Sequence, residues 1–232
     1  MIISNIKQIK VRLIFIALFG VFVLYLLLSA SKNEIEVAKY KISNIRLDIP
    51  KAYHYGEYEK RSKWPKINSG VHQSEYITID VILPNLDAVN EQNKHVFKQL
   101  GWGEKIRISL NSSPIYSFDR IISNYLNRNL LVESSYALKG LQTYKLKMVE
   151  NGKPYKDFFV KKREGTIDFI GRCTLVTERS SPSCKVDRIL KNGIHLQYIY
   201  SRNHIEQWGH IDRSILTLLN SFCSEKINCL TS

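Results

Sequence analysis

The alternation of apolar and polar side chains predicts a chain built largely from β-strands. Tyr144, Leu146 and Met148 alternate with Lys145 and Lys147, and a period of two is typical of a half-buried strand. Runs of β-branched and aromatic residues indicate further strands. Strands are predicted over residues 41–49, 76–83, 104–110, 141–149, 155–160, 166–176, 185–189 and 193–200. Because the later strands follow one another closely, we expect them to form an antiparallel meander.

Three segments carry apolar residues three and four positions apart, which is the spacing of an amphipathic helix. The first covers residues 87–100 and stops at Gly101, and the other two follow Ser117 and Ser201, which are good helix caps. The apolar stripe of the last helix consists of Ile205, Trp208, Ile211, Ile215, Leu218, Leu219 and Phe222. Helices packed on a mostly antiparallel sheet define the α+β fold class.

The start of the chain predicts a membrane segment. Residues 13–30 are uncharged and mostly apolar, and Lys7, Lys10 and Arg12 precede them. A helix of this length spans roughly 27 Å, which is close to the hydrocarbon thickness of a bilayer. The basic residues predict that residues 1–12 form a cytoplasmic tail. We therefore expect an N-terminal transmembrane helix, a single-pass anchor in the bacterial inner membrane with the body of the protein in the periplasm.

A cleaved signal peptide is the alternative interpretation of this segment. Ser29, Ala30 and Ser31 are small residues that would suit a cleavage site. The apolar run is longer than the usual ~7 to 15 residues of a signal-peptide core. The sequence therefore favours an uncleaved anchor.

Length and composition bound the body of the protein. The chain has 232 residues, of which 44% are hydrophobic, and it can bury one sizeable core or two small ones. Only 11 glycines and 6 prolines, and no internal repeat, argue against collagen-like and solenoid folds. We expect two α+β halves of similar size, 31–135 and 136–232, the second holding the meander and the C-terminal helix.

The four cysteines all follow the apolar segment, in a compartment where disulfides persist. Cys173 and Cys184 lie at the ends of two strands that a hairpin would bring together, and Cys223 and Cys229 flank five residues beyond the last helix. We therefore favour these two local pairs among the three connectivities. A four-cysteine zinc site is the weaker alternative, because the chain has no CxxC spacing.

The formal net charge of +13 permits an acidic partner. The positive charge concentrates between residues 139 and 163, around the predicted hairpin turn Asn151-Gly152. A solvated sheet face protected by lysines is one interpretation. A docking patch for an acidic protein or an anionic envelope surface is the other. The candidate partner-binding cations are Lys145, Lys147, Lys153, Lys156, Lys161, Lys162 and Arg163.

A second candidate patch lies in the polar insert between residues 53 and 70. Tyr55, Tyr58 and Trp64 are mixed there with lysine and arginine, a combination that protein interfaces favour. Long irregular loops of this kind are usually functional or disordered. We do not expect nucleic acid as a partner, because the sequence carries no motif for it.

Known catalytic signatures are missing from the sequence. It has no G-x-S-x-G elbow, no H-E-x-x-H motif, no phosphate-binding loop and no EF-hand spacing. Gly101-Trp102-Gly103 is interpreted as a turn, and the histidines are scattered singly. The sequence therefore predicts neither a metal site nor a cofactor, and it favours a protein that is not an enzyme.

At scattered positions the sequence resembles the membrane-anchored periplasmic immunity proteins that accompany bacterial type VI secretion toxins. These positions are Ile49-Pro50 with Tyr53, Ile82-Leu83-Pro84-Asn85-Leu86 with Asn90 and Asn93, Cys173 with Cys184, and Tyr198 with Trp208, Ile211-Asp212 and Ser221-Phe222. The resemblance implies a non-catalytic protein that occludes a secreted toxin. It implies no particular interface residues.

Two other function classes stay open on the sequence alone. One is a cell-envelope hydrolase, whose residues would converge only in the folded protein. The other is a structural component of an envelope assembly, although the apolar segment offers few small residues for helix pairing. The sequence favours a toxin-neutralising protein with an acidic protein partner over both.

Overall fold

The computed structural model describes residues 36–56, 70–112, 117–134, 136, 138–147, 156–174, 181–190, 193–224 and 229–230, with only the backbone of Lys156. The described elements belong to one compact unit, Val37–Ser232. The strands are β1 (Val37–Ile42), β2 (Ile45–Pro50), β3 (His72–Gln73), β4 (Tyr76–Ile82), β5 (Lys105–Asn111), β6 (Leu131–Glu133), β7 (Gln142–Leu146), β8 (Lys156–Arg163), β9 (Thr166–Thr174), β10 (Ser183–Ile189) and β11 (His195–Ser201). The α-helices are α1 (Lys94–Lys98), α2 (Phe118–Asn127) and α3 (Trp208–Ser221), with 3₁₀ turns at Lys51–His54 and Arg202–Gln207.

Eight strands form one sheet in the order β4-β5-β11-β10-β9-β8-β7-β6, and every neighbouring pair is antiparallel. Strands β7 to β11 are consecutive neighbours, which confirms the predicted meander. The predicted boundary at residues 135 and 136 falls between β6 and β7, which pair with each other. Strands from both sides of that boundary therefore share one sheet.

A smaller sheet has the order β2-β1-β3. The sequence predicts a single strand over residues 41–49, and this prediction is wrong because the chain turns back after Ile42. Ile42 pairs directly with Ile45, and Ser43 takes the left-handed conformation with a φ of 50°. The apolar alternation shifts by one position at the turn, from Ala38, Tyr40 and Ile42 to Ile45, Leu47 and Ile49, so this shift across Ser43-Asn44 is the sequence signal for the hairpin.

One face of the large sheet is covered by the β1–β2 hairpin and α3. The core on this closed face contains Ile79 of β4, Ile108 of β5 and Tyr198 of β11, which lie opposite one another in the register. Ile211 and Ile215 of α3 are fully buried in the same core. The hairpin contributes alternate residues from both strands, namely Ala38, Tyr40, Ile42, Ile45, Leu47 and Ile49.

The opposite face carries a second, smaller core at one end of the sheet. Phe118 and Ile122 of α2 pack there against β6 to β9. The apolar spacing after Ser117 predicts this helix, and the structure confirms it. The sheet residues of this core are Leu131, Tyr144, Leu146, Phe158, Val160, Ile167 and Ile170.

The helix predicted over residues 87–100 is reduced to the five residues of α1. Asn90 Oδ1 accepts a hydrogen bond from the Asn93 amide at 2.9 Å, and Asn93 Oδ1 accepts one from the Asn90 amide at 2.8 Å. Such local side-chain bonds compete with helical hydrogen bonds. The predicted last helix begins as the 3₁₀ turn Arg202–Gln207 and becomes α-helical only at Trp208.

The predicted fold class requires correction, because the described chain is mostly antiparallel sheet with three α-helices. No helix in the described ranges is both long and apolar enough to cross a membrane. The described structure therefore does not support the predicted transmembrane helix or the predicted single-pass inner-membrane location. The predicted tail, 1–12, and anchor, 13–30, themselves lie outside the described residues.

Two disulfides join Cys173 to Cys184 and Cys223 to Cys229, the local pairs that the spacing favours. Cys173 and Cys184 are directly opposite each other on β9 and β10 and are fully buried. The second disulfide follows α3. Cys223 also forms an isolated antiparallel β-bridge with Leu47 of β2 through its backbone. Each bond therefore closes a short loop within the fold.

Candidate protein-binding site

A cleft of about 450 Å³ lies where β4 and β5 meet α1 and the loop that precedes β5. We call it the aromatic cleft, because three aromatic side chains surround an ion pair. Its lining residues are Tyr55, Gly56, Asp80, Phe97, Gly101, Trp102, Lys105 and Arg107.

The floor of the aromatic cleft is a paired aspartate and arginine. Asp80 and Arg107 are register partners on β4 and β5. Arg107 donates from Nε to Asp80 Oδ1 at 2.7 Å and from Nη2 to Oδ2 at 3.4 Å, and such a two-pronged pair fixes the plane of the guanidinium. The Gly56 amide donates to Asp80 Oδ2 at 3.1 Å. A Cβ on residue 56 would lie 2.5 Å from that oxygen, so the close approach requires glycine.

The walls of the aromatic cleft are aromatic and fixed. The Tyr55 and Phe97 rings are 5.1 Å apart and tilted by 47°, within the range of favourable aromatic pairs. The Trp102 amide donates to Ser181 Oγ at 3.0 Å, which ties the loop before β5 to the start of β10. Lys105 Nζ donates to the carbonyls of Phe97 and Gln99 beneath the same loop. The walls therefore require little ordering when a partner binds.

The loop before β5 also presents a fully exposed leucine, Leu100. It lies between Phe97 and Trp102 in the chain and directly precedes Gly101, which lines the aromatic cleft. The next turn is fixed by a hydrogen bond between His204 Nε2 and the Gly103 carbonyl at 3.2 Å. The loop is therefore anchored at two successive residues, Trp102 and Gly103.

The electrostatics of the aromatic cleft are positive. Two cations, Lys105 and Arg107, stand beside one carboxylate, Asp80. Burial lowers the pKa of Lys105, Asp80 opposes this shift, and the nearby charge of Arg107 lowers the pKa further. Tyrosine, tryptophan and arginine are the residues that carry most binding energy in protein interfaces. The composition of the cleft is therefore that of a protein-binding site.

The described residues do not assemble a metal centre, and the carboxylate of the aromatic cleft is already paired. No group of three His, Cys, Asp or Glu in the described ranges is placed to bind a metal ion. The carboxylate among the cleft residues, Asp80, is engaged by Arg107. His54 is buried under the sheet, where its Nδ1 lies 3.0 Å from the Thr78 carbonyl, and burial lowers its pKa to about 4.

Of the predicted aromatic patch, Tyr55 lines the aromatic cleft. Tyr58 and Trp64 lie outside the described residues, as does Lys153 of the predicted cationic patch. Lys156 is described in its backbone alone. The structure therefore brings one predicted site residue into the cleft.

The other predicted cations lie on β7 and β8, away from the cleft strands β4 and β5. Lys145 and Lys147 are exposed at β7. Lys161 places its Nζ 5.8 Å from the centre of the Trp208 ring, within the range of a cation–π contact. Lys162 and Arg163 are exposed at the end of β8. Their role in partner binding stays a prediction.

Most residues of the aromatic cleft are not predicted as site residues from the sequence. Asp80 and Arg107 are charged residues within strongly apolar strands, and this is the signal that could have identified them. Trp102 was interpreted only as part of a turn, because nothing local reports that Ser181 anchors it. Phe97 and Lys105 are linked by the hydrogen bond from Lys105 Nζ to the Phe97 carbonyl at 3.5 Å, which no sequence pattern reveals.

Comparisons with known proteins identify the fold and leave the family open. No protein-family model matches the chain, and no curated protein matches it. The iron-regulated outer membrane lipoprotein FrpD of Neisseria meningitidis is similar with a TM-score of 0.55 and 17% identity, over 82% of this chain and 93% of FrpD. Smlt3025, an immunity protein of the Stenotrophomonas maltophilia type IV secretion system, is similar with a TM-score of 0.57 and 14% identity, over 82% of this chain and 94% of Smlt3025.

The chain therefore has a fold shared by a secretion-system immunity protein and a lipoprotein. Neither of these proteins is described as an enzyme. At 14% and 17% identity the likeness establishes the fold alone, and it does not transfer a partner or an interface.

Proposed function

We propose that this protein is a periplasmic immunity-like protein that neutralises a secreted toxin by occluding it, without catalysis of its own. The observation that carries the proposal is the aromatic cleft, in which Tyr55, Phe97 and Trp102 surround the paired Arg107. The fold shared with Smlt3025 supports it. The two disulfides support a periplasmic location.

The proposal also concerns which kind of secretion system delivers the toxin. The sequence resemblance favours a type VI system, whereas the structural neighbour serves a type IV system. The shared class is a toxin delivered by a secretion system. An acidic toxin is favoured, because the chain carries a net charge of +13 and the cleft has two cations beside one anion.

The test is capture of a partner by the full-length chain from the envelope and secreted fractions of its own organism. We expect one stoichiometric acidic protein, and weaker capture at high salt because exposed charges are screened. Tyr55→Ala should weaken binding by about 2 kcal/mol, the scale of an interface hot spot. The matched control is Tyr136→Ala, since Tyr136 is an exposed tyrosine that does not line the cleft.

The outcome decides between this function and its rivals. If Tyr55→Ala and Tyr136→Ala bind the partner equally well, the aromatic cleft is not part of the interface. Failure to capture any protein, with the chain folded, would contradict the immunity role. Protection of cells that express the toxin, measured as survival, should follow the affinity of each variant.

A further inference from the structure

A row of side chains continues from the aromatic cleft across the middle of the large sheet. Arg107 on β5 is opposite Ile199 on β11, Ile199 is opposite Lys185 on β10, and Lys185 is opposite Arg172 on β9. Residues directly opposite each other in antiparallel strands project from the same face. We call these four residues the open strip.

The open strip runs from the region of its face that α2 covers to the aromatic cleft. At one end Arg172 is opposite Phe158, which packs in the core under α2. At the other end Arg107 forms part of the aromatic cleft. The side chains of Arg107 and Arg172 are 41% and 37% exposed, and Lys185 and Ile199 are half-buried. In the described part of the chain, no helix packs over the strip.

Two aspartates hold the arginines of the open strip. Asp80 pairs with Arg107, and Asp187 pairs with Arg172. Asp187 is itself held by Gln197 at 2.7 Å and by His195 at 3.0 Å. Lys185 has no ion-pair partner within the described ranges. The strip therefore offers positioned positive charge around one apolar side chain, Ile199.

The spacing of the open strip defines the ligand that fits it. Neighbouring strands are about 4.8 Å apart, so Lys185 lies about 10 Å from Arg107 and about 5 Å from Arg172 along the row. A chain segment with carboxylates on both sides of an apolar residue matches these distances and charges. A simple anion would leave Ile199 and the aromatic cleft without contacts.

We propose that the open strip is the docking surface for an acidic segment of a protein partner. Carboxylates of that segment would pair with Arg107, Lys185 and Arg172, while an apolar residue packs on Ile199. This inference rests on the proposed function, since it specifies the chemistry of the toxin segment that meets the aromatic cleft.

The test measures binding of a defined probe to the full-length protein. The probe is a fluorescein-labelled peptide of ten glutamates with two leucines at its centre, followed by fluorescence anisotropy. Lys185→Glu should weaken binding about tenfold or more, because like charges in an interface are strongly unfavourable. The matched control is Lys41→Glu, since Lys41 is a half-buried strand lysine of the small sheet. It should change binding less than about twofold.

The neutral variant Lys185→Gln guards against a folding defect. If Lys185→Glu does not fold, Lys185→Gln should still weaken peptide binding about threefold with an unchanged circular dichroism spectrum. Equal losses in the Lys185 and Lys41 variants would show attraction by net charge only and would overturn the proposal. Absence of peptide binding by the unmodified protein would overturn it as well, and so would equal binding of inorganic phosphate or anionic vesicles at the same site.

Failure of this inference is distinguishable from failure of the proposed function. A captured toxin that is lost on Tyr55→Ala but retained by Lys185→Glu refutes the open strip and leaves the immunity role intact. Peptide binding at the strip, without any captured protein partner, refutes the immunity role and leaves the strip as an acidic-peptide site.

Discussion

The same strands form both faces of the large sheet, but one face is buried in the main core and the other carries the open strip. On β5, Ile106, Ile108 and Leu110 point to the closed face, whereas Lys105 and Arg107 point to the other. The closed face is covered by the β1–β2 hairpin and α3, while among the described residues the other face is covered by α2 at one end. This difference shows that one alternation of apolar and polar residues can form both a core and a binding surface. Substitutions should therefore affect stability on one face and binding on the other.

The largest expected effect on stability lies on the closed face. Asp212 of α3 forms an ion pair with Arg188, whose side chain is 14% exposed, and accepts a hydrogen bond from Tyr198 at 3.0 Å. Asp212→Ala leaves Arg188 buried without its charge partner. We expect the free energy of unfolding to fall by about 3 to 5 kcal/mol, measured by urea denaturation.

The control for this prediction removes both charges. Asp212→Leu combined with Arg188→Met should recover much of the loss, because a buried pair can be replaced by apolar side chains at small cost. A double variant as unstable as Asp212→Ala would contradict the uncompensated-charge explanation and indicate a packing defect instead.

The next effect concerns the disulfide that joins the two central strands on the closed face. Cys173→Ala with Cys184→Ala opens a loop with a sequence separation of 11 residues, and we expect a loss of about 3 kcal/mol in chemical denaturation. Cys223→Ala with Cys229→Ala opens a separation of 6 residues and should cost about 2 kcal/mol. The reverse order would show that burial or tethering outweighs loop length.

The smallest of the three effects belongs to the open face. Burial raises the pKa of Asp187, but the hydrogen bond with His195, the charge of Arg172, the hydrogen bond from Gln197 and the charge of Lys185 outweigh it and lower the pKa from 3.8 to about 2. Because the folded pKa is depressed, the stabilisation is complete above about pH 4 and is lost as the pH falls through 2.

Asp187→Asn should therefore lower the free energy of unfolding by about 2 kcal/mol at neutral pH. The difference between the two proteins should vanish near pH 2. The measurement is urea denaturation across this pH range, with peptide binding measured on the same samples. A difference that does not depend on pH would refute the electrostatic explanation.

Much of the strand order could be predicted from sequence because each strand is local. The alternation from residue 141 onward predicts the meander, and the short separations between cysteines favour the observed disulfides. The predictions were wrong where a turn or a side-chain hydrogen bond interrupts an element, because these features give a weaker sequence pattern than the element itself. The turn after Ile42 is marked only by a one-residue shift in the alternation. The helix before Gly101 is shortened where the asparagine side chains at 90 and 93 bond to the backbone.

The candidate site was harder to predict because its residues meet through non-local pairing. Asp80 and Arg107 are 27 residues apart, and Trp102 and Ser181 are 79 apart. In the sequence nothing distinguishes Lys185 from other strand lysines, and only the register places it between Ile199 and Arg172. The clustered lysines near residue 150 drew attention because they are adjacent in sequence, which is no guide to adjacency on a sheet.

The sequence by itself determined the strand-forming segments, the amphipathic helices at 118–127 and 208–221, the positive charge and the cysteine pairs, because each depends on neighbours within about a dozen residues. Tertiary structure alone decided that β5 lies beside β11, which face of each strand is covered, and so which charges remain available to a partner. The physical reason is that strand register is set by burial of the closed face, and this burial fixes the position of every side chain on the opposite face.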